Sequence, residues 1–237
     1  MQPRFTVSKE LSKAKPHLAA VSLELTYEIG EDTVEHVSET ISAAETSGQP
    51  YLPVYISSPG GCCYSAIAVV NMLKSCSIPV WTVIMSQASS AAAVIFSCGE
   101  RRFVAPSAQL MIHEVSVGGG FSMTKSTDFE NDAKHTRKLQ RQLFKIMAEN
   151  VGSDDPKYFI NLIKKKNNSD VWMDADEMKQ HKLLTDIGVP IMNCLARIEY
   201  STDVRCMHAP KTKISKKRKS EERGEGKPLK ARGKKTK

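Results

Sequence analysis

Ser90 stands where an apolar run, Val80 to Met85, gives way to an alanine-rich segment, with Ser89 before it and Ala91 after it. A hydroxyl at a strand-to-helix turn is presented at the C-terminal edge of a sheet. There the free N–H groups and positive dipole of the helix start favour developing negative charge. That is the logic of a nucleophile elbow, although the G-x-S-x-G pattern is absent. On local grounds alone a serine in this place is more often a helix cap, and Ser86 and Ser89 are equal candidates. Earlier in the chain, Pro59-Gly60-Gly61 ends another apolar run. Paired glycines let the backbone approach a ligand, and the N–H of Gly61 can bind an oxyanion; in isolation the same residues would be a tight turn.

A serine nucleophile needs a base within hydrogen-bond reach, and the base needs an acceptor that fixes its tautomer. His113, in Met111-Ile112-His113-Glu114, is a candidate base, and Asp170, after Asn167-Asn168-Ser169, a candidate acceptor. Taken singly, the first reads as a structural histidine and the second as an Asx-turn or cap residue. A histidine base works only while neutral, so activity is expected to fall at acid pH.

These residues must be positioned by a sheet. Between Thr46 and Gly99 the only charge is Lys74, and the strip holds two strand-turn-helix units. The first is a strand at Leu52 to Ile56, a turn through Gly61 and a helix at Ser65 to Leu73. The second is a strand at Val80 to Met85, a turn at Ser86 to Ser89 and a helix from Ser90 to Phe96. Strands without polar alternation are buried on both faces, and helices between them imply right-handed crossovers in a parallel sheet. The fold class is α/β. Around this core, Ser22 to Tyr27 is an expected strand and Glu31 to Thr46 an amphipathic helix with Val34, Val37, Ile41 and Ala44 on one face. A further strand is expected at Leu110 to His113. From about Thr127 to Val151 apolar residues recur at helical spacing (129, 133, 139, 143, 146, 147, 151) on a charged segment, which suits a projecting arm or subunit contact. Asp155-Pro156 starts a helix to about Ile163, and Asp174 caps another to Lys182.

The chain of 237 residues carries a formal charge of +8, which alone would fit a nucleic-acid binder. Residues 208–237, however, hold 13 basic and 3 acidic side chains, against 21 and 23 in residues 1–207. The basicity belongs to a tail with hardly an apolar side chain, expected to be disordered, and nucleic acid could be met only through it. Neither C-x-x-C nor a cysteine–histidine cluster occurs among the 6 cysteines, so reduced thiols in a cytosol-like compartment are expected ahead of disulfides or zinc. No apolar signal segment opens the chain, and the uncharged stretch Ser75 to Gly99 reads as a buried strand and helix ahead of a membrane span.

Ile56-Ser57-Ser58-Pro59-Gly60-Gly61, Ser86-Gln87-Ala88-Ser89-Ser90-Ala91-Ala92, Met111-Ile112-His113-Glu114 and Asp170-Val171-Trp172-Met173-Asp174-Ala175 occur in that order. Together they resemble the proteolytic subunit of the Clp protease family (ClpP), over roughly Ser22 to Pro190. The resemblance implies a ClpP/crotonase-like fold: repeated β-β-α units on a largely parallel sheet, with a handle helix at about 127–151. The peptidase domain would run from 22 to 207, between a variable segment (1–21) and the tail (208–237). By resemblance Ser90 is the nucleophile, His113 the base and Asp170 its orienting residue, with the N–H groups of Gly61 and Ala91 as the oxyanion hole. Gly60, Val115, Gly118, Gly119 and Gly120 would bind substrate, the segment Val115 to Phe121 pairing with an extended peptide as an added strand. The implied function is serine endopeptidase activity on unfolded polypeptide, with no cofactor or metal needed for hydrolysis. The implied setting is a cytoplasmic homo-oligomer of one ring or two that an ATP-driven unfoldase can serve.

Departures from the family pattern are Ser86 and Ala91 for its glycine and methionine, Glu114 and Val115 for its glutamine and proline, and Ser169 for its arginine. Its N-terminal axial loop is not recognisable in Met1 to His17. Such divergence fits a viral or organellar relative. Two other functions use the same fold: a crotonase-type acyl-CoA enzyme, which would bind coenzyme A, and a catalytically silent assembly subunit, which would cleave no peptide.

Overall fold

The structure is a computed structural model that describes residues 20–116, 126–167 and 169–190. The N-terminal segment 1–19, the glycines 118–120 and the basic tail lie outside the described residues. The apolar strip forms the centre of a sheet. β1 (Leu23–Leu25), β2 (Leu52–Ser58), β3 (Val80–Ser89), β4 (Arg101–Val104) and β7 (Asp186–Ile187) run parallel in that spatial order. β5 (Gln109–Ile112) pairs in parallel with the end of β3, and β6 (Val171–Met173) pairs antiparallel with β5.

The crossovers are helical. α1 (Glu31–Ser47) starts after Gly30, whose N–H donates to the Thr33 hydroxyl, and stops at Gly48, left-handed at φ 73°. It buries Val37 and Ala44 on the expected face, with Val34 and Ile41 packed at its margin. α2 (Cys63–Ser75) and α3 (Ala91–Ser97) follow β2 and β3. Beyond the sheet come α4 (Ser126–Asn150), α5 (Tyr158–Lys165) and α6 (Ala175–Gln180). In α6 Asp174 accepts the Glu177 N–H and Glu177 accepts the Asp174 N–H, a reciprocal cap. Val54, Ile56, Ile84 and Leu110 meet the helices in the main core, whereas Tyr55, Val83 and Phe103 form a smaller cluster with Trp81 and Val189. The strip is thus apolar on successive residues because both faces of its strands are covered.

Four expectations are corrected. Ser86 to Ser89 is strand, not turn: β3 runs to Ser89 by changing partners, pairing Trp81–Ile84 with β4 and Gln87–Ser89 with β5. The third strand ends at Ile112, so His113 lies one residue beyond it. The inner half of α4 is core, because Leu143, Phe144, Met147, Ala148 and Val151 are all buried in the main cluster. α5 also starts at Tyr158 rather than at Asp155, whose carboxylate accepts the Lys157 N–H and the Asn161 amide. Among the described residues no helix is long and apolar enough to cross a membrane, and Ser75 to Gly99 divides between β3 and α3.

Candidate active site

β2 and β3 are parallel neighbours, so the turns that follow them meet at one edge of the sheet. The first is built on glycine. Gly60 has φ 100° and Gly61 φ 147°, conformations that side chains resist. A Cβ on Gly60 would stand 2.5 Å from the Ser89 carbonyl oxygen and 2.7 Å from the Ser90 Cβ. The Gly60 carbonyl accepts the Ile29 N–H and the Ile29 carbonyl accepts the Cys62 N–H, both at 2.8 Å, which clamps the turn to the chain after β1. Between these bonds the Gly61 N–H donates to nothing among the described residues.

The second turn carries Ser90 at φ 55°, ψ −120°, a region that L-residues rarely occupy. Its N–H donates to the Met111 carbonyl at 2.8 Å and its carbonyl accepts the Ala93 N–H at 3.0 Å, so strand β5 and helix α3 hold the strained residue from both sides. Ala91, the first residue of α3, has an N–H with no acceptor among the described residues, as helix starts do. The N–H groups of Gly61 and Ala91 are therefore unused donors beside one hydroxyl.

That hydroxyl reaches an imidazole. Ser90 Oγ lies 2.7 Å from His113 Nε2, both residues half-buried. Of the three serines that local sequence left equal, Ser86 is exposed and hydrogen-bonded to Ser57, and Ser89 has a buried hydroxyl with no partner. Asp170 is not joined to this pair. The β5–β6 ladder sets Ile112 opposite Val171, so His113 and Asp170 occupy the next register position. The Asp170 side chain is exposed and makes no hydrogen bond among the described residues.

A cleft opens beside Ser90 and His113, also lined by Gly61, Ala91, Cys63 and Val94. Its far wall is Ile112, Val115, Leu143 and Phe144. The apolar wall from α4 is a part of the cleft that sequence reasoning missed. Leu143 belonged to the apolar stripe that signalled a buried face, but spacing does not say what covers a face. Burial pushes the Cys63 thiol up, which keeps it protonated, whereas hydrogen bonds from the Ser65 backbone N–H and hydroxyl pull Cys62 down. Val115 lines the cleft and its N–H donates to Gln140 Oε1 at 3.0 Å. Gly60 touches the nucleophile turn, while Gly118, Gly119 and Gly120 lie outside the described residues. A hydroxyl paired with an imidazole, with two free amides beside it, can attack a carbonyl carbon and stabilise the resulting oxyanion.

The model of the Clp protease family matches residues 11–190. The ATP-dependent Clp protease proteolytic subunit of Streptococcus pyogenes serotype M5 (strain Manfredo) is 32% identical over 149 residues, 62% of this chain and 72% of that protein. The protein of the same name from Streptococcus equi subsp. equi (strain 4047) matches to the same extent. Among solved structures, a ClpP1 point mutant from Listeria monocytogenes superposes with a TM-score of 0.61 at 21% identity, covering 75% of this chain and 95% of that one.

Proposed function

The chain belongs to the Clp protease family, and from that premise we propose that it is a serine endopeptidase cutting extended polypeptide through an acyl-enzyme. The observation that carries the proposal is the 2.7 Å contact of Ser90 Oγ with His113 Nε2 beside the unused N–H groups of Gly61 and Ala91. His113 takes the hydroxyl proton as Ser90 Oγ bonds to the scissile carbonyl carbon. The two amides bind the oxyanion, and the imidazolium then protonates the leaving amine as the C–N bond breaks. Water, deprotonated by the same imidazole, releases the acyl group. No step calls for a cofactor.

Asp170 is the proposed orienting residue. Its support is the register, which brings an aspartate beside the base from the neighbouring strand. The apolar wall of Val94, Ile112, Val115, Leu143 and Phe144 favours a substrate with an apolar side chain before the cut. Large apolar side chains stay exposed on the single chain, among them Tyr27, Tyr64 and Trp172, which supports a homo-oligomeric ring as the working form. Docking to an ATP-driven unfoldase and a reducing, cytoplasmic setting belong to the same proposal, the second supported by the free thiols of Cys62, Cys63, Cys76 and Cys98.

A crotonase-type enzyme would use the two amides on a thioester enolate but would leave the Ser90–His113 pair without a task. The test is intact-mass measurement after fluorophosphonate treatment, with hydrolysis of a fluorogenic peptide alongside. One adduct on the wild-type chain and none on Ser90→Ala are expected. Equal labelling of both would remove Ser90 from the role.

A further inference from the structure

His113 leaves the sheet before it does its work. β5 ends at Ile112, and so does the ladder to β6. For residues His113 to Ser116 the described structure contains two hydrogen bonds, His113 Nε2 with Ser90 Oγ and Val115 N–H to Gln140 Oε1. The first is the reacting contact, which must break and re-form in every cycle. Among the described residues, the second is the hydrogen bond left to hold this strand exit.

Gln140 is suited to that task by its place on α4. It is half-buried and lies one turn before Leu143 and Phe144, on the same helix face, and those two residues wall the cleft. From Leu143 onward α4 is locked in the core, so the acceptor is mounted on a rigid base. A half-buried backbone N–H deprived of its acceptor costs more than an ordinary hydrogen bond is worth, and the strand exit would move to find water.

We propose that Gln140 is a positioning residue: by accepting the Val115 N–H it pins the strand exit that carries His113 and so sets the reach of the imidazole to Ser90. This rests on the serine-peptidase function proposed above. Gln140 touches neither reacting atom; it acts on the base through two residues of backbone. The bond also removes one N–H from the set that a strand-adding peptide can use.

The test uses the full chain with Gln140→Leu, which keeps shape and loses the acceptor, and Gln140→Glu, which keeps an acceptor. Val115→Pro, which removes the donor, supplies a second background. Gln140→Leu should slow both phosphonylation of Ser90 and peptide turnover by about tenfold, the equivalent of one hydrogen bond, with KM little changed. Gln140→Glu should recover most of that loss, and Gln140→Leu should cost nothing further in Val115→Pro. A loss confined to KM, an equal loss in both backgrounds, or a Gln140→Leu rate within twofold of wild type would overturn the proposal. Amide exchange at Val115 reads the clamp without activity: protection in the wild type should vanish in Gln140→Leu, and an unprotected wild-type amide sinks the clamp. A wild-type chain that protects this amide yet takes no fluorophosphonate would instead sink the peptidase function and leave the clamp standing. Thermal melts of each variant separate misfolding from misalignment.

Discussion

Two strand-to-helix turns stand against each other at one edge of the sheet, and they treat the same steric problem in opposite ways. The turn after β2 takes left-handed conformations with Gly60 and Gly61, where a side chain would collide with Ser89, Ser90 and the backbone of Ile29. The turn after β3 takes a comparably disfavoured conformation with a serine. A non-glycine residue there costs about 1–3 kcal/mol, held in place by the bonds to Met111 and Ala93. In the proposed function the difference follows from which group has work to do. In the first turn that is a backbone N–H, and a bare backbone presents it best. In the second it is a side chain, so the strain is kept.

The comparison can be broken most severely at the contact between the turns. Gly60→Ala should lower phosphonylation of Ser90 at least a hundredfold and destabilise the fold by about 2–4 kcal/mol, because the obstructing atoms are the Ser89 carbonyl oxygen, the Ala91 nitrogen and the Ser90 Cβ, which are backbone or fixed to it and cannot step aside. Denaturant melts with labelling kinetics check both. Gly61→Ala, facing Ile29 instead of Ser90, should cost similar stability, with its activity loss on kcat as an oxyanion donor is misplaced. A smaller effect of opposite sign sharpens the contrast. Ser90→Gly should be inactive yet melt about 2–4 °C above Ser90→Ala, because it relieves φ 55° while both lack the hydroxyl. Equal melting temperatures would mean that the second turn is not strained.

The smallest effect lies away from both turns and serves as their control. Burial holds His181 below its ordinary value, with Tyr158 hydrogen-bonded to its Nδ1. The folded state then binds fewer protons than the unfolded one, so this stabilisation is present above the unfolded value of about 6.5 and is lost as pH falls below it. Melting of inactive Ser90→Ala should drop slightly from pH 7 to pH 5, and His181→Phe should flatten that slope by no more than about 2 °C.

Much of the frame that holds this site is legible in the sequence, for reasons visible in particular residues. A strip whose sole charge is Lys74, broken at Pro59-Gly60-Gly61 and again after Val80 to Met85, marks two buried strands leading to one edge, and the structure has β2 and β3 there. What escaped was whatever depends on pairing. The polar run Ser86 to Ser89 looks like a turn until β5 is seen to supply its hydrogen bonds. β6 is three residues long, too short for alternation to register, and it is the β5–β6 ladder that puts Asp170 one register step beyond its end, as His113 is on the other strand. β4 opens with Arg101-Arg102 and was hidden by its charge; Arg101 stacks over Trp81 and Phe103 and pairs with Asp186. The stripe on α4 was seen, but periodicity marks a face to be covered and is silent on the partner, which proved to be the chain's own core.

The divided pairing of β3 also orders events during synthesis. A growing chain that has reached Val104 can seal the first half of β3 against β4, while Gln87 to Ser89 still has an open edge on that side. The Ser90 N–H has no acceptor until Met111 has been made, and His113 emerges just behind it. Ser90 and His113 are therefore set by the same stretch of chain.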